Sequence, residues 1–195
     1  HLRHLVARLQ PRGLIVLGAG SMPLATSRDL REFLAAATAD AGALSNNAYS
    51  GDAIAIADAA AVLANLPVDL ANDNALPRWL RDEAGVDVRD LRGRRHLAVD
   101  IDSPLDLLLL DGVRTAGRLP MPDESDAAPV RERLARIRAL AADAAAELLV
   151  AGRMAATDVR WLERRTRART RALIEERGMR TATLAALRGT PNRRP

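Results

Sequence analysis

Short apolar runs alternate with amphipathic stretches along the first half of the chain. Residues 14–17 form a continuous apolar run that predicts a buried strand, and residues 53–57 alternate as a second strand. Ser27 is predicted as the N-cap of a helix, and two short strands are predicted at residues 86–88 and 97–99. Ser103 followed by Pro104 and Asp106 is a strong helix start. The pattern predicts an α/β fold with a mostly parallel sheet and helices on both faces.

The second half predicts a smaller α/β unit. Apolar residues recur every three or four positions from Val130 to Leu148, which indicates an amphipathic helix. A strand at 148–150, a helix at 156–165 and a strand at 170–174 make a βαβ unit. We expect a first domain at 1–116, a proline-rich linker at 117–129, the small unit at 130–188 and a disordered tail at 189–195.

Composition narrows the function classes. The 195 residues include no cysteine and no lysine, which excludes disulfides, cysteine zinc sites and lysine chemistry. Aromatic residues make up 2%, too few for a base-stacking nucleic-acid binder, so we expect no nucleic-acid partner. No apolar run is long enough to span a bilayer, so we expect no membrane partner and a cytoplasmic location.

Two loops offer backbone and amide groups to a ligand. The glycine loop, residues 18–21, contains Gly18 and Gly20, which would let a backbone approach a phosphate or ribose, or simply form a turn. Pro23 stands where the dinucleotide fingerprint needs a third glycine, so a dinucleotide site is not expected. The polar loop, residues 45–52, carries Asn46 and Asn47, which suit reading a base edge but are also ordinary turn residues.

The aspartate segment, residues 100–102, is the strongest chemical feature. Asp100 and Asp102 are predicted at the end of a strand, where positions two apart face the same way. Two carboxylates so placed can hold Mg²⁺ together with a triphosphate, or one of them can cap a backbone turn.

Four segments carry a family resemblance. They are Ser21-Met22-Pro23-Leu24 after the first strand, the pair Asp29-Leu30, residues 42–47, and residues 100–107, which read Asp-Ile-Asp-Ser-Pro-Leu-Asp-Leu. Together they resemble the nucleotidyltransferases of glycosyltransferase-A-like fold, most closely the branch with 2-phospho-L-lactate guanylyltransferase and the molybdenum-cofactor nucleotidyltransferases. The match of residues 100–107 is fairly specific, and the other three are loose.

The resemblance implies a transferase of cofactor biosynthesis. Such a protein binds a nucleoside triphosphate (GTP in the guanylyltransferase branch) with Mg²⁺, and moves a nucleoside monophosphate onto a small phosphorylated acceptor. It implies Asp102 as the principal metal ligand and Asp100 as its helper. The nucleotide contacts it implies are Gly18, Gly20, Ser21, Ser45, Asn46 and Asn47.

Alternatives stay open. Ser21 stands where the family has a metal-binding Asp, and nothing before Leu14 resembles the family's triphosphate loop. A catalytically degenerate nucleotide-binding or regulatory module is therefore the second reading. Because the chain starts at His1, we expect it to be part of a longer protein.

The basic second half supports a third reading, an arginine-rich protein that binds anions or nucleic acid. Arg167, Arg169 and Arg171 alternate and would share one face of a strand. A minor charged site of Arg153, Glu175 and Arg177 is possible there. The alternative is an exposed edge strand guarded by charge.

Overall fold

A computed structural model describes residues 2–68, 70, 75–115 and 117–175. The chain divides into two compact units, His1–Asp123 and Glu124–Pro195. The boundary lies inside the segment predicted as a linker. Each unit is described below by itself.

The described part of the first unit contains five α-helices and four strands. The helices are Leu2–Leu9 (α1), Ser27–Ala37 (α2), Ala59–Val62 (α3), Leu76–Asp82 (α4) and Pro104–Leu109 (α5). The strands are Gly13–Leu17 (β1), Ala43–Ser45 (β2), Ala53–Ala57 (β3) and Val88–Asp90 (β4). The predicted strands at 14–17 and 53–57 are confirmed. The short strand β2 and the N-terminal helix α1 were not predicted.

The first sheet is mixed, so the prediction of a mostly parallel sheet is wrong, while the α/β class is confirmed. Its strand order is β1-β3-β2-β4. Strand β3 runs antiparallel to both β1 and β2, and only β2 and β4 are parallel. The physical reason is the length of the polar loop between β2 and β3. A parallel neighbour needs a crossover of a dozen or more residues, and this loop is shorter.

Helices cover both faces of this sheet, as predicted. Ile54 and Ile56 point to one face, where they pack with buried residues of α1, α3 and α4. Ala53 and Ala55 point to the other face and pack with Phe33 and further residues of α2. The alternation along β3 thus divides the core into two clusters, one on each side of the sheet.

Two helix starts follow their predicted chemistry, and one predicted strand does not form. Helix α2 is capped by Thr26, one residue before the predicted cap, in a capping box with Asp29. Helix α5 is capped by Ser103 in a capping box with Asp106. Of the segment predicted as a strand at 97–99, the first two residues instead form the end of a 3₁₀ helix, Arg95–Ala98.

The second unit is a βαβ unit preceded by a long helix. Its elements are Glu124–Ala142 (α6), Glu147–Arg153 (β5), Ala156–Arg165 (α7) and Arg169–Glu175 (β6). Strands β5 and β6 pair in parallel, which confirms the predicted βαβ unit. Helix α6 begins earlier than predicted and includes Pro129, so the end of the predicted linker is helical. The predicted tail lies outside the described residues.

Within the described ranges, no helix combines the length and the apolar character needed to cross a membrane.

Candidate functional site

The glycine loop and the aspartate segment lie side by side. Ser21 and Asp100 form an isolated antiparallel bridge. The Met22 amide donates to the Val99 carbonyl at 3.1 Å, and the Ile101 amide donates to the Gly20 carbonyl at 3.0 Å. The two segments are therefore joined by main-chain hydrogen bonds on both sides of Ser21.

Gly20 allows this close approach. Its φ is +80°, and a Cβ at this position would lie 2.6 Å from the carbonyl oxygen of Ile101. A side chain here would push the aspartate segment away. The missing side chain of Gly20 thus serves the contact with Ile101, which fits the alternative of a structural turn.

Gly18 and Ser21 complete the glycine loop. The Gly18 amide donates to the carbonyl of Asp52 at 2.7 Å, which brings the polar loop to the same place. The Ser21 hydroxyl donates to the Gly18 carbonyl at 2.8 Å. The hydroxyl hydrogen of Ser21 is therefore directed to the loop's own backbone.

The two aspartates of the segment differ in exposure. Asp102 is exposed, and Asp100 is half-buried. They do not follow a strand, so that part of the prediction is wrong. Leu97 is fully buried and its amide closes a turn onto the Arg94 carbonyl, which favours 3₁₀ geometry over an extended strand.

The backbone around Asp102 is fixed from the helix that follows it. Asp106 accepts hydrogen bonds from the amides of Asp102 and Ser103 at 3.0 and 2.8 Å. The hydrogen bond from the Ser103 hydroxyl is the main cause that holds the pKa of Asp106 below its ordinary value, and the two amide bonds add to this effect. Asp106 therefore positions the aspartate segment as an ionised acceptor.

The donor set fits magnesium only with help from a ligand. Among the described residues no group of three or more His, Asp or Glu side chains is placed to hold a metal ion. Mg²⁺ in nucleotide sites is commonly held by one or two carboxylates, with the phosphates and water completing the shell. The exposed carboxylate of Asp102, with Asp100 nearby, matches that kind of site rather than a cage made by the protein alone.

Two of the residues predicted to contact a base are buried instead. Asn46 is 1% exposed; its Nδ2 donates to the Leu97 carbonyl at 3.0 Å, and its Oδ1 accepts from the amides of Asp52 and Ala53 at 3.1 Å each. Ser45 is fully buried, and its hydroxyl lies 3.2 Å from the Ala53 carbonyl. The prediction that these side chains face a ligand is wrong, because a buried amide or hydroxyl must bond within the protein.

Asn47 differs from Asn46. It is half-buried, and its Oδ1 accepts from the Tyr49 amide at 3.0 Å in a local turn. In the part of the chain that the structure describes, its Nδ2 makes no hydrogen bond with the protein. Asn47 therefore remains the polar loop's candidate for ligand contact.

Tyr49 carries the exposed aromatic ring of the polar loop, a residue that no sequence motif indicated. Tyr49 is 49% exposed. The guanidinium carbons of Arg92 and Arg81 lie 4.8 and 5.3 Å from the centroid of its ring. Asp90 and Asp82 pair with the same two arginines. The ring connects the polar loop to α4 and to the turn after β4.

A buried charge cluster beside α2 was also missed. The Asp29 carboxylate is 3% exposed and accepts from the Thr26 amide at 2.9 Å, from the Thr26 hydroxyl, and from Arg94 Nη1 at 2.8 Å. His96 Nε2 lies 3.0 Å from its Oδ2. Arg94 also donates to Glu32 at 2.6 Å.

The cluster shifts the titration of its acids. Burial raises the pKa of Asp29, but the hydrogen bonds from Thr26, His96 and Arg94 outweigh burial and hold that pKa well below its ordinary value. The hydrogen bond from Arg94 lowers the pKa of Glu32 as well. The spacing Thr26-x-x-Asp29 is a capping-box signal that identifies Asp29 from sequence. Nothing in the sequence indicates its partners more than sixty residues away.

In the second unit, the predicted arginine face is open to solvent. Arg169 and Arg171 are exposed on β6, and Arg171 pairs with Glu147 of β5. Of the suggested minor site, Arg177 lies outside the described residues, as do the side chains of Arg153 and Glu175. The exposed, ion-paired face fits a strand guarded by charge.

In comparisons with protein-family models, with curated proteins and with solved structures, no match to this chain was found.

Proposed function

We propose that the first unit binds a nucleoside triphosphate with Mg²⁺ where the glycine loop meets the aspartate segment, and that it transfers a nucleoside monophosphate to a small phosphorylated acceptor. The observation that carries the proposal is the bridge between Ser21 and Asp100. It unites two segments that lie nearly eighty positions apart in the chain, and both belong to the resemblance to nucleotidyltransferases. The family resemblance favours GTP as the nucleotide and a cytoplasmic protein.

In this proposal the exposed carboxylate of Asp102 is the principal metal ligand, and Asp100 assists it. Bound Mg²⁺ would neutralise charge on the phosphates. The side-chain amide of Asn47 is the remaining contact available to the nucleotide, since the Gly18 amide and carbonyl are bonded within the protein. Ser45 and Asn46 stabilise these loops through their buried hydrogen bonds to the carbonyls of Ala53 and Leu97.

The proposed reaction is a displacement at the α-phosphorus of the nucleotide. A phosphate oxygen of the acceptor forms the new bond, the bond to the bridging oxygen breaks, and pyrophosphate leaves with the electron pair. Such a reaction depends mainly on positioning and on charge neutralisation, so it asks little covalent chemistry of the protein.

A second candidate, a module that binds nucleotide without transfer, is favoured by one observation. Ser21 replaces the family's carboxylate, and its hydroxyl donates to the Gly18 carbonyl at 2.8 Å rather than offering a charged ligand. Serine is a weak substitute for a carboxylate on Mg²⁺. The two candidates share the binding site and differ in whether pyrophosphate is released.

The test is a binding screen of the four common nucleoside triphosphates against this chain, each with Mg²⁺ and with EDTA. We expect at least one to raise the Tm only with Mg²⁺ present, because a ligand of the folded state stabilises it. Asp102→Ala should weaken that binding by about tenfold or more, because it removes the principal metal ligand. Asp40→Ala, which removes an exposed carboxylate after α2, is the matched control.

Failure of every nucleotide to bind with Mg²⁺, or equal effects of Asp102→Ala and Asp40→Ala, would contradict the proposal. A pyrophosphate-release assay with phosphorylated acceptors then separates the enzyme from the binding module.

A further inference from the structure

We propose that the cavity beside His96 and Arg28 binds a small phosphate-bearing anion, with these two side chains as the contact groups and Asp29 as the residue that positions His96. The cavity has a volume of about 320 Å³ and is lined by Thr26, Arg28, Asp29, Arg94 and His96. None of these residues belongs to the nucleotide site proposed above. The inference therefore does not rest on the proposed function.

The carboxylate in the wall does not make this a cation site. Asp29 already accepts from Thr26, from Arg94 and from the His96 ring. Its charge is opposed by Arg94, and Glu32 is paired with Arg94 and Arg89. A carboxylate so fully engaged has little capacity left to coordinate a metal, and it acts instead as a fixed acceptor inside the wall.

Asp29 fixes the orientation of the His96 ring. Because a carboxylate accepts, the ring nitrogen 3.0 Å from it, Nε2, carries the hydrogen. Over the described ranges the structure gives the ring no second hydrogen bond, and its side chain is 38% exposed. Nδ1 is thus the atom through which His96 can bind a ligand. It accepts from the P–OH of hydrogenphosphate when the ring is neutral, and donates to phosphate when the ring is protonated.

Arg28 supplies positive charge to the cavity; among the described residues no carboxylate lies within ion-pair distance of it, and Glu32 on the same helix attracts it from farther away. It lines this cavity and also a neighbouring one of about 470 Å³, which includes Ser27, Arg114 and Thr115. With Asp29 and Glu32 balanced by Arg94 and Arg89, Arg28 leaves the region net positive. Arg28, Arg114 and the hydroxyls of Ser27 and Thr115 provide several hydrogen-bond donors. Such a set suits the three oxygens of a phosphate group better than the two oxygens of a planar carboxylate ligand.

The test uses inorganic phosphate as the probe, without magnesium, so that the nucleotide site does not contribute. Histidine-ring NMR signals of the full chain are recorded during the titration, and the His96 signals are assigned by their loss in His96→Gln. We expect phosphate to shift the His96 signals in a saturable way, and acetate at the same ionic strength to shift them far less.

Arg28→Ala should raise the Kd for phosphate about five- to tenfold, since it removes a charged donor. Arg31→Ala is the matched control, because Arg31 is exposed on the same helix and does not line either cavity; it should change the Kd less than about twofold. No saturable shift, equal shifts with acetate, or equal effects of Arg28→Ala and Arg31→Ala would each overturn the inference.

Discussion

Asn46 donates a hydrogen bond to the carbonyl oxygen of Leu97, 3.0 Å away and 51 positions later in the chain. Both residues are buried. The bond fixes the polar loop to the 3₁₀ helix that leads into the aspartate segment. The Gly18 amide reaches the same loop through the carbonyl of Asp52. The three loops that the sequence singled out therefore meet through backbone and buried-amide contacts.

Asn46→Ala should lower the free energy of unfolding by about 2 to 4 kcal/mol, because it leaves three backbone groups, two of them buried and one part-buried, without their partner. Those groups are the Leu97 carbonyl and the amides of Asp52 and Ala53. Asn47→Ala, one position later and half-buried, should cost less than about 1 kcal/mol. Urea unfolding of the two variants checks the difference. Equal costs would show that Asn46 is not the structural member of the pair.

Gly20→Ala should destabilise the first unit by at least about 2 kcal/mol, because it adds a collision to the cost of a left-handed backbone. The added Cβ would lie 2.6 Å from the Ile101 carbonyl oxygen. Gly112→Ala is the control, since Gly112 has φ +74° and nothing within 4 Å of an added Cβ. It should cost about 1 kcal/mol. Thermal unfolding that ranks Gly112→Ala as equally damaging would contradict the close approach at Gly20.

The charge cluster at Asp29 should make the first unit sensitive to acid. Because the pKa of Asp29 is lower in the folded chain than its ordinary value of 3.8, the stabilisation is complete above about pH 5 and falls as the pH drops below about 4. Asp29→Asn should lower the free energy of unfolding by roughly 2 to 3 kcal/mol at pH 7, since it removes the negative charge that Arg94 and His96 contact.

The measurement is the free energy of unfolding from pH 7 to pH 3 for both proteins. The wild type should lose more stability over that interval than Asp29→Asn, because the variant has no carboxylate to protonate at this position. Parallel pH profiles would mean that Asp29 does not carry the acid dependence.

Tyr49 should stabilise the polar loop more through its ring than through its hydroxyl, whose hydrogen bond with Arg81 lies at the exposed surface. Tyr49→Phe keeps the ring near Arg81 and Arg92 and should change stability by less than about 0.5 kcal/mol. Tyr49→Ala should cost about 1 kcal/mol, because both cation–π contacts are lost. Chemical unfolding of the two variants distinguishes them, and a Phe variant as unstable as the Ala variant would assign the effect to the hydroxyl.

Local patterns predicted the elements that depend on local chemistry. The apolar run at 14–17, the alternation at 53–57 and the capping box at Ser103 all form as predicted. The helix at 156–165 and the parallel pairing of its flanking strands also follow the sequence. In each case the signal lies within about a dozen residues of the element that it predicts.

What the sequence did not reveal depends on distant partners. Residues 97–99 have the apolar character of a strand, yet Leu97 is buried as an anchor and its carbonyl accepts from Asn46. From its sequence context Asn46 is predicted as a surface turn residue, and only its contact with Leu97 in the fold shows that it is buried. The roles of Arg94 and His96 depend on their contacts with Asp29, which is far away in the sequence. No local pattern carries those pairings.

In the proposed function, the glycine loop and the aspartate segment together hold a metal–nucleotide complex. The most direct test of this proposal replaces Mg²⁺ by paramagnetic Mn²⁺ with GTP and records the backbone amide spectrum of the labelled chain. We expect line broadening concentrated at residues 18–21 and 100–103, dependent on the nucleotide and lost in Asp102→Ala. Broadening centred elsewhere in the chain, or unchanged by Asp102→Ala, would contradict it.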